Sequence, residues 1–284
     1  MRELAYVNGD IMDLEEATIP ILDRGFLFGD GIYEVIRIYQ GVPFGLDRHL
    51  QRLQNSARSI MLNLPHTMGT FEDLILDLVE ESGIKEGWVY MQVTRGVAPR
   101  AHAFPENVDP TLVMFVKALP EDSGGQAKAG ASVVKIPDQR WLLCNIKSVS
   151  LLANVLAKEQ ATRMGAYECI LHRPDGSVTE GASCNVFAVI DGVVRTHPAD
   201  NLVLPGITRD YVLEICADEG IPFNESAFSV EDLKGASEIF LTGTVSEITP
   251  VVKVDNTIVG DGTPGPVTTR IASAYAALVA KALL

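Results

Sequence analysis

The stretch PEDSGGQAKAG (120–130) limits this chain more than any other segment does. It is small, polar and rich in glycine, with no apolar period to hold it in a helix or strand. A chain of 284 residues can form one domain or two, and this stretch predicts two: residues 1–120, a linker at 121–130, and residues 131–284. Ahead of it, IYEVIRIY (32–39), WVYMQVTR (88–95) and TLVMFVKA (111–118) are β-branched and aromatic and predict strands. Leu46, Leu50, Leu53, Ala57, Ile60 and Met61 recur at helical steps and predict a helix over 46–61. Phe71, Leu74, Leu78 and Val79 predict a second over 70–82. Beyond the linker, short strands are expected at 131–136, 167–172, 184–190, 193–196, 237–242 and 248–254, with helices at 150–164, 206–219 and 266–283. Mixed elements without regular β-α-β alternation predict an α+β fold, and the many short strands suit a barrel-like second half.

Charge and cysteines narrow the class of function. Thirty-seven acidic against 23 basic residues give a net charge of −14. Such a surface offers nothing to nucleic acid or to an anionic membrane, so an anionic ligand must be met by a local cluster of Arg, Lys and backbone N–H groups. Cys144, Cys169, Cys184 and Cys216 are scattered, which predicts reduced thiols and no metal site. No signal-peptide pattern opens the sequence and no apolar run reaches a membrane-spanning length, so a cytoplasmic protein is expected.

Among nine lysines, Lys147 has unusual company: RWLLCNIKSVSLLANVLAK. Flanked by Leu142, Leu143, Ile146 and Val149, it either snorkels at a helix start or is desolvated, which would make its amine a nucleophile towards carbonyls. LPGITRD (204–210) places Pro205 and Gly206 in a turn and Thr208 in the first turn of a helix, where free amides favour a phosphate. TGTVS (242–246) is a second cluster of that kind. Glu180 stands in a turn before a strand, where a carboxylate could keep a cofactor ring nitrogen protonated. In the loop TRGVAPRAHAFPE (94–106), Arg95, Arg100 and His102 converge and could take a substrate carboxylate. Each signal alone has a plainer reading, as a surface lysine, a helix start, a turn residue or a solvated basic loop. Together they describe a site for pyridoxal 5′-phosphate (PLP).

These blocks, with DRGFLFGDGIYEVIRIY (23–39), HLQRL (49–53) and FLTGTVSEITPV (240–251), resemble the fold-type IV PLP enzymes over nearly the whole chain. The resemblance implies a smaller N-terminal α/β domain and a larger C-terminal pseudo-barrel domain. It implies Lys147 as the Schiff-base lysine and proton shuttle, and Glu180 as partner of the pyridine nitrogen. Arg52, Gly206, Ile207, Thr208, Gly243 and Thr244 would hold the phosphate, Leu204 would pack under the ring, and Glu168 would stand near the lysine. The R-A-H segment looks like the carboxylate trap of D-amino acid aminotransferases. That likeness implies Tyr33, Arg100 and His102 on the substrate carboxylate, with Arg100 and His102 reaching in from the neighbouring subunit of a homodimer. Departures are Gly243, where those enzymes commonly have Ser, and Ala182 and Cys184, which replace serines. The implied reaction is a ping-pong transfer of the amino group of a D-amino acid such as D-alanine to a 2-oxo acid such as 2-oxoglutarate. The alternatives are an aminodeoxychorismate lyase, a transaminase for branched-chain L-amino acids or (R)-amines, and a PLP carrier without turnover.

Overall fold

A computed structural model describes residues 2–120 and 129–283. The chain divides into two compact units, one of Met1–Glu121 with Ile146–Ser150 and Ala282–Leu284, the other of Asp122–Asn145 with Leu151–Lys281. Apart from Ala129 and Gly130, the expected linker lies outside the described residues. The division differs from a single cut there, because the five residues around Lys147 group with the first unit.

The first unit is built on a six-stranded sheet of β1 (Leu4–Val7), β2 (Asp10–Asp13), β3 (Gly31–Tyr39), β4 (Val42–Pro43), β5 (Gly87–Thr94) and β6 (Thr111–Ala118). Its order is β2-β1-β6-β5-β3-β4, and every pair is antiparallel. Alternation decides the faces. Val89, Met91 and Val93 of β5 are fully buried, while Trp88, Tyr90 and Gln92 between them are half-buried. The buried face carries α2 (Leu46–Ser59) and α3 (Met68–Ser82), whose stripes Leu46, Leu50, Leu53, Ala57 and Phe71, Ile75, Leu78, Val79 join Ile32, Ile36 and Met114 in one core. Each large aliphatic chain buried this way stabilises the fold by about 1.5–3 kcal/mol. Thr67 caps α3 by accepting from the Thr70 amide at 3.2 Å, and Gly83 ends it in the left-handed conformation (φ 67°). The short helix α1 (Arg24–Phe28) and strands β1, β2 and β4 were not expected from the sequence, since none exceeds five residues and so none shows a period.

The second unit holds β7 (Ala131–Pro137), β8 (Glu168–His172), β9 (Asn185–Ile190), β10 (Val193–Thr196), β11 (Phe223–Glu225), β12 (Glu238–Gly243), β13 (Glu247–Val254) and β14 (Thr257–Ile258). They form a curled, half-barrel sheet in the order β11-β10-β9-β12-β13-β7-β8, with β14 on β13. Pairing is mixed: β10–β11, β13–β7 and β7–β8 are parallel. The helices are α4 (Leu152–Arg163), α5 (Ile207–Asp218) and α6 (Pro266–Ala282). Val133, Ile170, Val186, Ala188, Ile239, Leu241 and Val251 form the core. Glu238 on β12 accepts from the Val267 and Thr268 amides at 2.9 and 2.7 Å and so fixes the start of α6. The fold is α+β, as expected, and the longer elements fall within two residues of their expected bounds.

Candidate active site

Lys147 is placed by its backbone. Its carbonyl accepts from the Tyr33 amide at 3.0 Å, Val149 N–H donates to Gly31 O at 3.1 Å, and Ile32 and Ser148 form an antiparallel bridge. Lys147 N–H also donates to Ser56 Oγ of α2 at 3.2 Å, and Ile146 is part of the first core. The segment therefore runs as an extra short strand beside the start of β3. It is not the helix start that its sequence suggests, because α4 begins only at Leu152. Leu142 and Leu143, expected to desolvate the amine, are 60% and 46% exposed. What meets the amine is an aromatic face: Nζ lies 4.1 Å from the centroid of Tyr33. Tyr33 stacks on Tyr90 (5.6 Å), which stacks on Phe115 (4.9 Å).

Arg52 on α2 grips Glu34 of β3 with two nitrogens, Nε to Oε1 at 2.8 Å and Nη2 to Oε2 at 2.7 Å. His49, one turn earlier, lies with Nδ1 2.8 Å from Glu34 Oε2. Burial alone would raise the Glu34 carboxyl, but Arg52 and His49 outweigh it and bring its pKa down to about 2. Burial, helped by the charges of Arg52 and Lys147, lowers His49 against the pull of Glu34. An ionised Glu34 only accepts, so Nδ1 of the neutral His49 carries the hydrogen. Arg52 is thus an oriented guanidinium whose charge is already balanced.

The loop after β5 separates the three residues expected to converge. Arg95 is buried and committed: Nε bonds Asp30, Nη1 and Nη2 bond the carbonyls of Met61 and Ile60 at 2.9 and 2.8 Å, and its guanidinium lies 3.7 Å from the Phe104 centroid. Arg100 and His102 are exposed and meet at Phe28, with the guanidinium 5.1 Å and the imidazole 5.5 Å from its centroid. The expected cluster is therefore a pair, and Arg95 is part of the frame.

In the second unit, Glu180 is 5% exposed and fully hydrogen-bonded. Oε1 accepts from Arg140 Nη1, and Oε2 accepts from Asn185 Nδ2 and Leu204 N–H, each at 3.0 Å. Arg140 is shared with Asp138, through Nε to Oδ1 at 3.0 Å and Nη2 to Oδ2 at 2.8 Å. Thr179 Oγ also donates to Asp138 at 2.8 Å. Burial raises the Glu180 pKa and Arg140 only partly counters it, while Asp138 adds to the rise. Arg173 Nε also lies 3.4 Å from Asp138, so the two carboxylates share two guanidiniums and Glu180 meets a single nitrogen of one of them. Such a carboxylate can still be stabilised by a cationic partner.

Gly206 precedes α5, and a Cβ there would stand 2.0 Å from Asn185 Oδ1, so only glycine lets Asn185 reach both Glu180 and Leu204 O (2.9 Å). No side chain caps the start of α5, which leaves the amides of its first turn, at Ile207 and Thr208, for an anion. Gly243 ends β12 and Thr244 opens the turn after it. Ser246 Oγ lies 2.7 Å from where a Gly243 Cβ would be, so a hydroxyl fills the space of the missing serine side chain. Glu168 accepts from Lys158 Nζ at 3.2 Å and Ser183 Oγ at 3.0 Å. Among the described residues, no group of three or more His, Cys, Asp or Glu side chains could hold a metal ion, and no helix is long and apolar enough to cross a membrane.

An uncapped helix start, an oriented arginine, a buried glutamate and an amine on an aromatic face are what a phosphorylated pyridine aldehyde would need. The sequence pattern of the amino-transferase class IV family matches residues 31–254, and the chain belongs to that family of aminotransferases. It is 45% identical over 273 residues to a D-alanine aminotransferase of Staphylococcus haemolyticus, covering 95% of each chain. The branched-chain amino acid aminotransferase of Escherichia coli superposes with a TM-score of 0.91 at 27% identity, over 98% of this chain and 95% of that one. A branched-chain amino acid aminotransferase of T.th., solved with pyridoxamine 5′-phosphate, superposes with a TM-score of 0.88 at 28% identity, over 96% and 92%.

Four residues of this chemistry went unread in the sequence: Glu34, His49, Asp138 and Arg140. Glu34 carried a signal. In IYEVIRIY it shares the parity of Ile32, Ile36 and Ile38, the face that is buried, and a charge at such a position needs a partner.

Proposed function

We propose that this class IV aminotransferase transfers the amino group of a D-amino acid of the D-alanine type to a 2-oxo acid such as 2-oxoglutarate, with PLP as cofactor. When bound, PLP supplies a carbonyl for the amine and a ring that takes up charge from Cα. Lys147 anchors the cofactor and then carries the proton taken from substrate Cα. Glu180, oriented by Arg140, Asn185 and the Leu204 amide, would hold the proton on the ring nitrogen by charge. Leu204 would pack under the ring. Arg52, Gly206, Ile207, Thr208, Gly243 and Thr244 take the phosphate. Arg100 and His102, with Tyr33, hold the substrate α-carboxylate.

The observation that carries the substrate reading is the pairing of Arg100 with His102 on Phe28, both exposed, while Arg24 and Arg95 nearby are buried, share Asp30 and donate to backbone carbonyls. The D-alanine aminotransferase relative supports it. The working form is a homodimer in which each protomer lends Arg100 and His102 to the other. Leu152, Val155 and Leu156, exposed together along α4 of the single chain, suit such an assembly.

Mixing the loaded enzyme with D- and L-amino acids and following the cofactor absorbance tests the reading. D-alanine with 2-oxoglutarate should yield pyruvate and D-glutamate. Faster conversion of L-leucine would make it a branched-chain enzyme, and elimination without D-glutamate a lyase. Lys147→Ala should abolish the visible absorbance of bound cofactor and all transamination; an unchanged spectrum sinks that assignment. Arg100→Ala should weaken D-alanine binding by about 2–4 kcal/mol with cofactor retained.

A further inference from the structure

We infer that Phe28 and Arg24 are positioning residues for substrate recognition: they fix the direction in which Arg100 and His102 point. The inference rests on the reading of that pair as the carboxylate site. The base of the loop is pinned to the segment before β3. Arg24 N–H donates to Gly96 O at 2.9 Å, Ala98 N–H to Leu22 O at 3.3 Å, Arg95 N–H to Asp30 O at 3.1 Å, and Asp23 bridges Val97. Asp23 is fully buried and accepts from the Gly25 amide and Thr94 Oγ at 2.8 and 2.9 Å.

Arg24 then reaches the far side of the same loop. Its guanidinium is almost fully buried and donates to three consecutive carbonyls, Ala101 at 2.6 Å and His102 and Ala103 at 3.4 Å, while Nε bonds Asp30 at 2.8 Å. Three carbonyls held by one planar fork define the backbone on which His102 sits. The ring of Phe28 closes the arrangement. Arg24, Arg100 and His102 all contact it, at 4.8, 5.1 and 5.5 Å from its centroid. Asp30 is shared by Arg24 and Arg95 and does not reach Arg100, whose guanidinium keeps its charge for a ligand. Phe28 neither donates nor accepts a conventional hydrogen bond. It offers a π-face that attracts a cation and leaves every N–H of Arg100 free to turn to a carboxylate.

Steady-state kinetics of the holoenzyme with D-alanine and 2-oxoglutarate test this. Phe28→Leu removes the face, and Arg24→Lys keeps a charge for Asp30 but cannot span three carbonyls. Each should raise KM for D-alanine about three- to tenfold, with kcat and cofactor absorbance close to the parent's. Phe28→Tyr, which keeps an aromatic face, should restore most of the affinity. In the Arg100→Ala background, Phe28→Leu should add little, because it acts through the arginine; an independent, additive rise overturns the inference. Unchanged KM in Phe28→Leu and Arg24→Lys, beside a raised KM in Arg100→Ala, also overturns it and leaves the carboxylate reading standing. If Arg100→Ala itself leaves KM unchanged, the underlying reading falls. Should Phe28→Leu not retain cofactor, faster amide exchange over residues 101–103 in Arg24→Lys decides instead, and parent-like exchange there counts against the inference.

Discussion

Each unit buries a glutamate against an arginine, and the two carboxylates behave in opposite ways. Glu34 receives both prongs of Arg52 and a hydrogen bond from His49, and its pKa falls to about 2. Glu180 receives one prong of Arg140, whose other nitrogens serve Asp138, and its pKa rises because burial is not fully offset. Residue types and burial are nearly the same, so the difference lies in how much of a guanidinium each carboxylate receives. One acid per guanidinium gives a neutral, rigid strut. Arg140 is divided between two acids, with Arg173 also on Asp138 at 3.4 Å, so Glu180 has only part of one guanidinium and can still be stabilised by a cation such as a protonated ring nitrogen.

Arg52→Ala should have the largest effect on this contrast. It strands Glu34 in the core and should lower the unfolding free energy by about 3–5 kcal/mol, read from denaturant melts. A loss within experimental scatter would mean that the pair is no strut. The pH dependence should differ in sign between the units. Glu34 is depressed, so its contribution, on the order of 3 kcal/mol, is present above the ordinary carboxylate range and lost as pH falls towards 2. Melts across that window should show a flatter acid limb in Glu34→Gln. Glu180 is raised, so in cofactor-free protein it costs stability as pH climbs through its folded pKa. Glu180→Gln should therefore gain on the parent as pH increases, and matching slopes for the two variants would erase the distinction. The smallest change is expected from Asp138→Asn, which removes the negative charge that adds to the rise of Glu180. Carbon-13 titration should find the Glu180 pKa lowered, and an unmoved value would locate the cause of its rise elsewhere.

Local features were readable from the sequence and distant pairings were not. β6 and β10 fall at their expected bounds because period and composition are local properties. The helix start at Gly206 and Thr208 and the turn holding Glu180 were legible because such features leave marks within a few residues. Arg140 and Asp138 could not be joined to Glu180, since 40 residues separate arginine from glutamate and only the sheet brings them together. Arg24 and Ala101, 77 residues apart, pose the same difficulty. Arg95 misled for a related reason: sequence shows that a charge is present but not that Asp30, 65 residues earlier, already holds it.

The bond between Lys147 N–H and Ser56 Oγ joins positions 91 residues apart, and the chain on either side of Ile146–Ser150 belongs to the other unit. During synthesis the first sheet and its helices can collapse early, but Lys147 cannot take its place beside β3 until the ribosome has passed residue 147. Closing so large a loop is slow and entropically costly. Most of the first unit is therefore made well before the short segment that completes it.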